Sequence, residues 1–301
     1  MTTPTEFKPG VADWSTVHCL TGALATPVKD PQKWSSFAWP QERLDQFHKD
    51  GFVSNVRVLS EDQCDSLLQD YRYFLGEEKH PGMDMMYEYH TNQSDDPNNV
   101  LMHALGQWRL TKLFHDLVFL PQVVVPVSQC LGNVAVRFWH DQLFAKPACH
   151  GGVVAWHQDY SYWTRSQPMS HMTVHIALED QTEENGTIKY IPGSHKWTRN
   201  NGQPLPVLDF NFKDMEGIKT ILTEEELAMF KPVSAMLKKG EASFHHALSA
   251  QPRRATVLNY FADGVYSNTD GELLEGTTKF KKGQKMEGQF YPLVYDPAWS
   301  K

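Results

Sequence analysis

Apolar positions change their spacing partway along the chain. In the first half they recur at helical intervals: Cys64, Leu67, Leu68, Tyr71 and Leu75 lie on one face of a helix. Ser60-Glu61-Asp62-Gln63 reads as the capping box that opens it. Before it, the stretch 47–53 reads as a helix end, a break at Gly51, and a strand running to Val58. Residues 80–100 are polar and turn-rich, which predicts a long loop. Leu105 to Leu120 reads as a helix, and Pro121 opens another, kinked at Pro126. From Val134 onward the runs shorten and become rich in Val, Ile, Phe, Tyr and Thr. Strands are expected at 134–144, 172–178, 187–191, 241–246 and 255–260, separated by Gly, Pro and Asn turns. Thr223-Glu224-Glu225-Glu226 opens a short helix that Pro232 ends. This order predicts a single domain over 41–301, mainly β with flanking helices and built as a sandwich or barrel. An irregular arm, residues 1–40, packs on it.

Composition narrows the picture. Hydrophobic residues make up 41% and charged residues 21%, as in ordinary globular chains. The formal net charge of -8, with no basic cluster, argues against a nucleic-acid partner. No apolar run approaching membrane-spanning length is read along the chain, so no membrane partner is expected. The start Met1-Thr2-Thr3-Pro4 has neither the cationic nor the apolar part of a signal peptide. Cys19, Cys64, Cys130 and Cys149 lie far apart and read as reduced thiols of a cytoplasmic protein.

The candidate chemistry centres on His157-Gln158-Asp159. A neutral imidazole and a carboxylate on a short extended segment are two thirds of the facial triad that binds non-haem Fe(II) while leaving positions open. The pair follows Gly151-Gly152 and precedes Tyr160, Tyr162 and Trp163, residues suited to walling a pocket, with Arg165 adding a cation.

Trp156-His157-Gln158-Asp159, Glu184-Asn185-Gly186-Thr187 and Ile191-Pro192-Gly193-Ser194-His195 together resemble the phytanoyl-CoA dioxygenase (PhyH) family of Fe(II)/2-oxoglutarate-dependent oxygenases. The resemblance runs from about Phe47 to Ala262. It implies a double-stranded β-helix (jelly-roll) core. It also implies Fe(II), 2-oxoglutarate as co-substrate, O2 with ascorbate as a possible aid, and hydroxylation of an unactivated C–H bond of a small organic substrate, releasing succinate and CO2. By the same resemblance His157 and Asp159 are the first two iron ligands, Gln142 and His175 contact 2-oxoglutarate, and Arg253 or Arg254 grips its distal carboxylate. A carboxylate ligand such as Asp159 goes with hydroxylation, whereas halogenating relatives carry a small residue there.

Relatives place the third ligand in a His-Gly-Ser segment that follows a strand ending in Phe-His. Here that strand end, Phe244-His245-His246, runs on through Ala250-Gln251-Pro252 to Arg253-Arg254 without such a segment. His246, nearer the strand end, is the expected third ligand, with His245 as the alternative. The rival reading is a catalytically impaired or inactive binding protein on the same fold. A Zn(II) hydrolase is the weaker rival, because hydrolases have little need of the paired arginines. Oligomeric state and substrate identity are not legible.

Overall fold

The computed structural model describes residues 2–75, 78–93, 96–98, 100–145, 154–200, 202–207, 216–249 and 256–301. The arm carries more order than expected: a hairpin of β1 (Thr5–Lys8) and β2 (Val11–Asp13), then a one-turn helix at Trp14–Thr16. Two buried acids tie it to the body. Asp13 pairs with Arg109 at 2.5 Å, and Asp116 accepts the amides of Thr21, Gly22, Ala23 and Leu24. A four-residue α1 (Pro31–Trp34) closes the arm.

Helix α2 (Gln41–Asp50) ends at Gly51 as the pattern predicts. Gly51 adopts φ 84°, and a Cβ there would collide with the His195 ring and lie 2.8 Å from Ser249 Oγ. The left-handed turn and the close approach both require glycine. β3 (Phe52–Arg57) follows, then α3 (Glu61–Leu75), capped reciprocally by Ser60 and Gln63. The polar segment after it contains β4 (Glu88–His90).

The helix expected over Leu105–Leu120 is broken. β5 (Met102–Leu105) gives way at Gly106 to a single 3-10 turn, and α4 spans only Lys112–Val118, followed by α5 (Pro121–Cys130). Asp141 causes the break. Its carboxylate accepts the amides of Gly106 at 2.9 Å and Trp108 at 2.7 Å, fixing the turn. Burial pushes its pKa up to about 7, against the pull of those amides. The stretch Lys112–Cys130 does prove long and apolar enough to cross a membrane, but it is 83% buried inside the protein, so packing of the core accounts for its composition.

The remaining strands are β6 (Val136–Ala145), β7 (Ser166–Gln167), β8 (His171–Ile176), β9 (Lys189–Tyr190), β10 (Val233–Ser234), β11 (Glu241–His246), β12 (Thr256–Ala262), β13 (Tyr266–Ser267), β14 (Gly271–Glu272), β15 (Lys279–Phe280) and β16 (Leu293–Tyr295), with α6 (Glu224–Ala228) between β9 and β10. The α6 capping box of Thr223 and Glu226 is present as expected. An antiparallel sheet runs β3-β11-β8-β12-β6-β5-β4, with β16 added on β6. The short ladders β9–β10 and β7–β13 form separate two-stranded sheets. The mainly β architecture with a few helices on one side is the one expected.

The faces of the large sheet follow from its register. Leu258, Val174 and Phe244 align across β12, β8 and β11 and join the main apolar core with α2 to α5. Residues of opposite parity face away from those helices. They form two rows, polar but for Val257: His140, Asn259, Thr173 and His245, then Gln142, Val257, His175 and Ser243.

Candidate active site

His157 and Asp159 come together because Gln158 between them is clamped. Its backbone is extended (φ -104°, ψ 129°), so its side chain points away from both neighbours. Its amide donates to the carbonyls of Trp197 at 3.0 Å and Ser194 at 3.3 Å, and its oxygen accepts Leu205 N at 2.8 Å. Tyr160 N donates to Ala247 O at 2.9 Å, which fastens the segment to the end of β11.

His157 Nδ1 lies 2.8 Å from Ala155 O. A carbonyl only accepts, so Nδ1 carries the proton and the Nε2 lone pair is left on the Asp159 side. Nε2 lies 3.3 Å from Asp159 Oδ1. Two ligands at right angles on one ion, with bonds of about 2.1 Å, sit roughly 3.0 Å apart, so this pair fits a metal with small adjustment. The other carboxylate oxygen, Oδ2, accepts from Thr173 Oγ1 at 2.7 Å and lies 3.1 Å from His245 Nε2. The carboxylate is buried, with a histidine at each of its two oxygens. Among the described residues no three His, Cys, Asp or Glu side chains are already drawn into one metal-holding cluster. The donor chemistry fits a metal, and His245 would have to close on it from the Oδ2 side.

The expected third ligand, His246, faces the wrong way. Side chains alternate along a strand, so His245 and His246 of β11 point to opposite faces. His246 pairs in register with Met172 on the helix side, with its ring 6.5 Å from Phe47 and 5.6 Å from His195. Burial depresses its pKa to about 4. The side chain that reaches the site is His245, and its Nδ1 lies 3.0 Å from Tyr190 OH, which itself lies 2.7 Å from Ser243 Oγ.

Gln142 and His175 share the second polar row, separated by Val257, so two strand spacings of about 4.8 Å each lie between them. His175 Nε2 is 2.8 Å from Gln181 Oε1. Arg253 and Arg254 lie outside the described residues. Of the aromatic wall, Tyr162 stands edge-on to the His157 ring at 5.7 Å. Tyr160 and Trp163 instead enter a second apolar core with Trp139 and Phe261, and Arg165 donates to Leu273 O. Sequence reading did not find Thr173, Asn259, Tyr190 and Ser243. The parity of β8, counted from His175, would have put Thr173 on the same face.

Fold and site together define a jelly-roll protein with a His-x-Asp pair on the sheet face turned from its helices. Residues 47–250 match the family model described as phytanoyl-CoA dioxygenase (PhyH), and the chain belongs to that family. Among curated proteins it is 36% identical to L-proline trans-4-hydroxylase of Streptomyces griseoviridis over 81 residues, covering 26% of this chain and 30% of that protein. It is 24% identical to ectoine dioxygenase of Streptomyces coelicolor over 181 residues, 58% of each chain. The chain thus spans under two thirds of the length of these relatives. Among solved structures it resembles SnoN, a non-haem α-ketoglutarate-dependent epimerase of nogalamycin biosynthesis, with a TM-score of 0.67 at 17% identity, covering 88% of this chain and all of the other. It also resembles EctD from S. alaskensis, with a TM-score of 0.57 at 16% identity, covering 88% and 84%. At those identities the likeness is one of fold.

Proposed function

We propose that this chain is an Fe(II)- and 2-oxoglutarate-dependent dioxygenase that hydroxylates a C–H bond of a small organic substrate. The observation that carries the reading is the buried Asp159 carboxylate with His157 Nε2 at 3.3 Å on one oxygen and His245 Nε2 at 3.1 Å on the other. Family membership and the names of the proline and ectoine relatives support it.

In this reading His157, Asp159 and His245 hold the iron. The bound iron supplies the oxidising power, acting on O2 with 2-oxoglutarate as co-substrate. The chain contributes orientation. Ala155 O sets the His157 tautomer, and Gln158 holds the two ligands on one side of their segment. Gln142 and His175 face the same side of the sheet and serve the co-substrate, with Arg253 or Arg254 pairing with its far carboxylate through two parallel hydrogen bonds. Tyr162 beside His157 walls the pocket.

The test is succinate release from 2-oxoglutarate with added Fe(II) and ascorbate, alongside anaerobic Fe(II) titration. The wild type is expected to bind Fe(II) and release succinate, and His157→Ala to lose both. Absence of both Fe(II) binding and succinate release in the wild type would sink the enzyme reading in favour of a binding protein on this fold.

A further inference from the structure

A hydrogen-bonded file of Thr173, Asn259 and His140 stands behind the Asp159 carboxylate, and the reaction as proposed gives it no role. Thr173 Oγ1 donates a single proton, shared between Asp159 Oδ2 at 2.7 Å and Asn259 Oδ1 at 3.0 Å. Asn259 Nδ2 in turn donates to His140 O at 3.2 Å and lies 3.2 Å from His140 Nδ1. Thr173 and Asn259 have no solvent exposure, and His140 has almost none. The three occupy one register row on adjacent strands β8, β12 and β6, so the sheet itself fixes their order.

We propose that Thr173 is a positioning residue for the iron carboxylate, itself oriented by Asn259 and His140. The inference rests on the reading of His157 and Asp159 as metal ligands. A carboxylate can bind a metal through one oxygen or both, and a facial triad keeps its open positions only if it spends one. The Thr173 hydroxyl engages Oδ2, the oxygen that His245 Nε2 also approaches at 3.1 Å, so the oxygen beside His157 Nε2, Oδ1, is the one presented to the ion and His245 closes on the ion from the Oδ2 side. An asparagine behind the threonine is useful because its amide is anchored on a backbone carbonyl, which does not move independently of the sheet. Outer partners of this kind typically alter metal affinity or activity by about 10- to 100-fold when removed.

Co(II) is the probe, because its visible spectrum reports coordination number as well as occupancy. Thr173→Val keeps the side-chain shape and deletes the donor. It is expected to weaken Co(II) binding by about 10- to 100-fold and to change the intensity of the visible bands, and Thr173→Ser, which restores the hydroxyl, is expected to return both close to wild type. Asn259→Ala keeps the Thr173 hydroxyl but removes its support, and is expected to weaken binding several-fold. Circular dichroism and thermal melting are run on each variant. Wild-type affinity and spectrum in Thr173→Val, with binding abolished in His157→Ala, would overturn the inference while leaving the metal site standing. Unchanged binding in His157→Ala would overturn the metal site and the inference with it. Should Thr173→Val fail to fold, Asn259→Ala decides: wild-type Co(II) binding there refutes the file.

Discussion

Exchanging the roles of two adjacent histidines is the sharpest test of the site. His245 is fully buried on the polar face, within 3.1 Å of Asp159 Oδ2. His246 is on the opposite face, packed near Phe47 and His195. His245→Ala removes a proposed ligand, and metal affinity is expected to fall at least 10- to 100-fold, or about 1.4–2.8 kcal/mol of binding energy. His246→Ala leaves the site untouched but deletes a partly buried ring packed near Phe47 and His195 on the helix side. Large-to-small changes in a core cost about 2–5 kcal/mol, so for this partly buried ring folding stability is expected to drop by about 1–2 kcal/mol while metal affinity stays within about twofold of wild type. Fe(II) or Co(II) titration and urea denaturation on both variants separate the two effects. Loss of metal binding in His246→Ala with retention in His245→Ala would refute the parity argument outright. Loss in neither would place the third donor elsewhere.

Three further predictions concern the scaffold. Gly240 adopts φ 82°, and a Cβ there would run into the Leu59 carbonyl, so Gly240→Ala is expected to cost more than about 2 kcal/mol by urea denaturation; a neutral result would contradict the close approach of Gly240 to Leu59 where β3 ends beside the start of β11. Arg109 is buried between Asp13 and the Met85 carbonyl, and Arg109→Met is expected to cost about 3–5 kcal/mol and to expose the N-terminal hairpin to protease. Full stability and unaltered proteolysis would show that the arm is held otherwise. His171 is buried with its pKa pushed down to about 3, first by burial and then by His246 and His140. It stays neutral in the folded state but takes a proton on unfolding below about pH 6.5, so its contribution is intact above that pH and is lost as pH falls toward 3, at about 1.4 kcal/mol per pH unit. His171→Phe should flatten the acid limb of a stability–pH curve between pH 6 and 4, and an unchanged slope would assign that limb to other groups.

The strands β3, β6, β8, β11 and β12 and the His157–Asp159 pair were legible because both are local patterns. Alternation marks a strand, and a tripeptide on extended backbone carries its own geometry. Helix ends read equally well where the chemistry is local, as at Gly51 and at the Ser60–Gln63 box. The break in the helix expected over Leu105–Leu120 was not legible, because its cause, Asp141, sits more than thirty residues away and acts only once β6 has formed beside β5. The order of the arm was hidden for the same reason, since Asp13 and Asp116 show their roles only through distant partners. The choice between His245 and His246 was within reach. Phe244 is a core residue by composition, and period-two alternation then sends His246 to the same core and His245 to the other face.

The segment joining β11 to β12 carries no further donor for a metal. β11 and β12 both run antiparallel to β8 and flank it, so they are parallel to each other. From His246, opposite Met172, to Thr256, opposite Ile176, the connector must recover about 13 Å along β8 and cross two strand spacings of about 4.8 Å, roughly 16 Å in all. Residues 247–255 join those two points. Their sequence is Ala-Leu-Ser-Ala-Gln-Pro-Arg-Arg-Ala, with no His, Cys, Asp or Glu. This connector therefore carries arginines suited to a carboxylate but none of the side chains that usually bind Fe(II). Of the two histidines on β11, strand alternation puts His245 on the Asp159 side and His246 on the other.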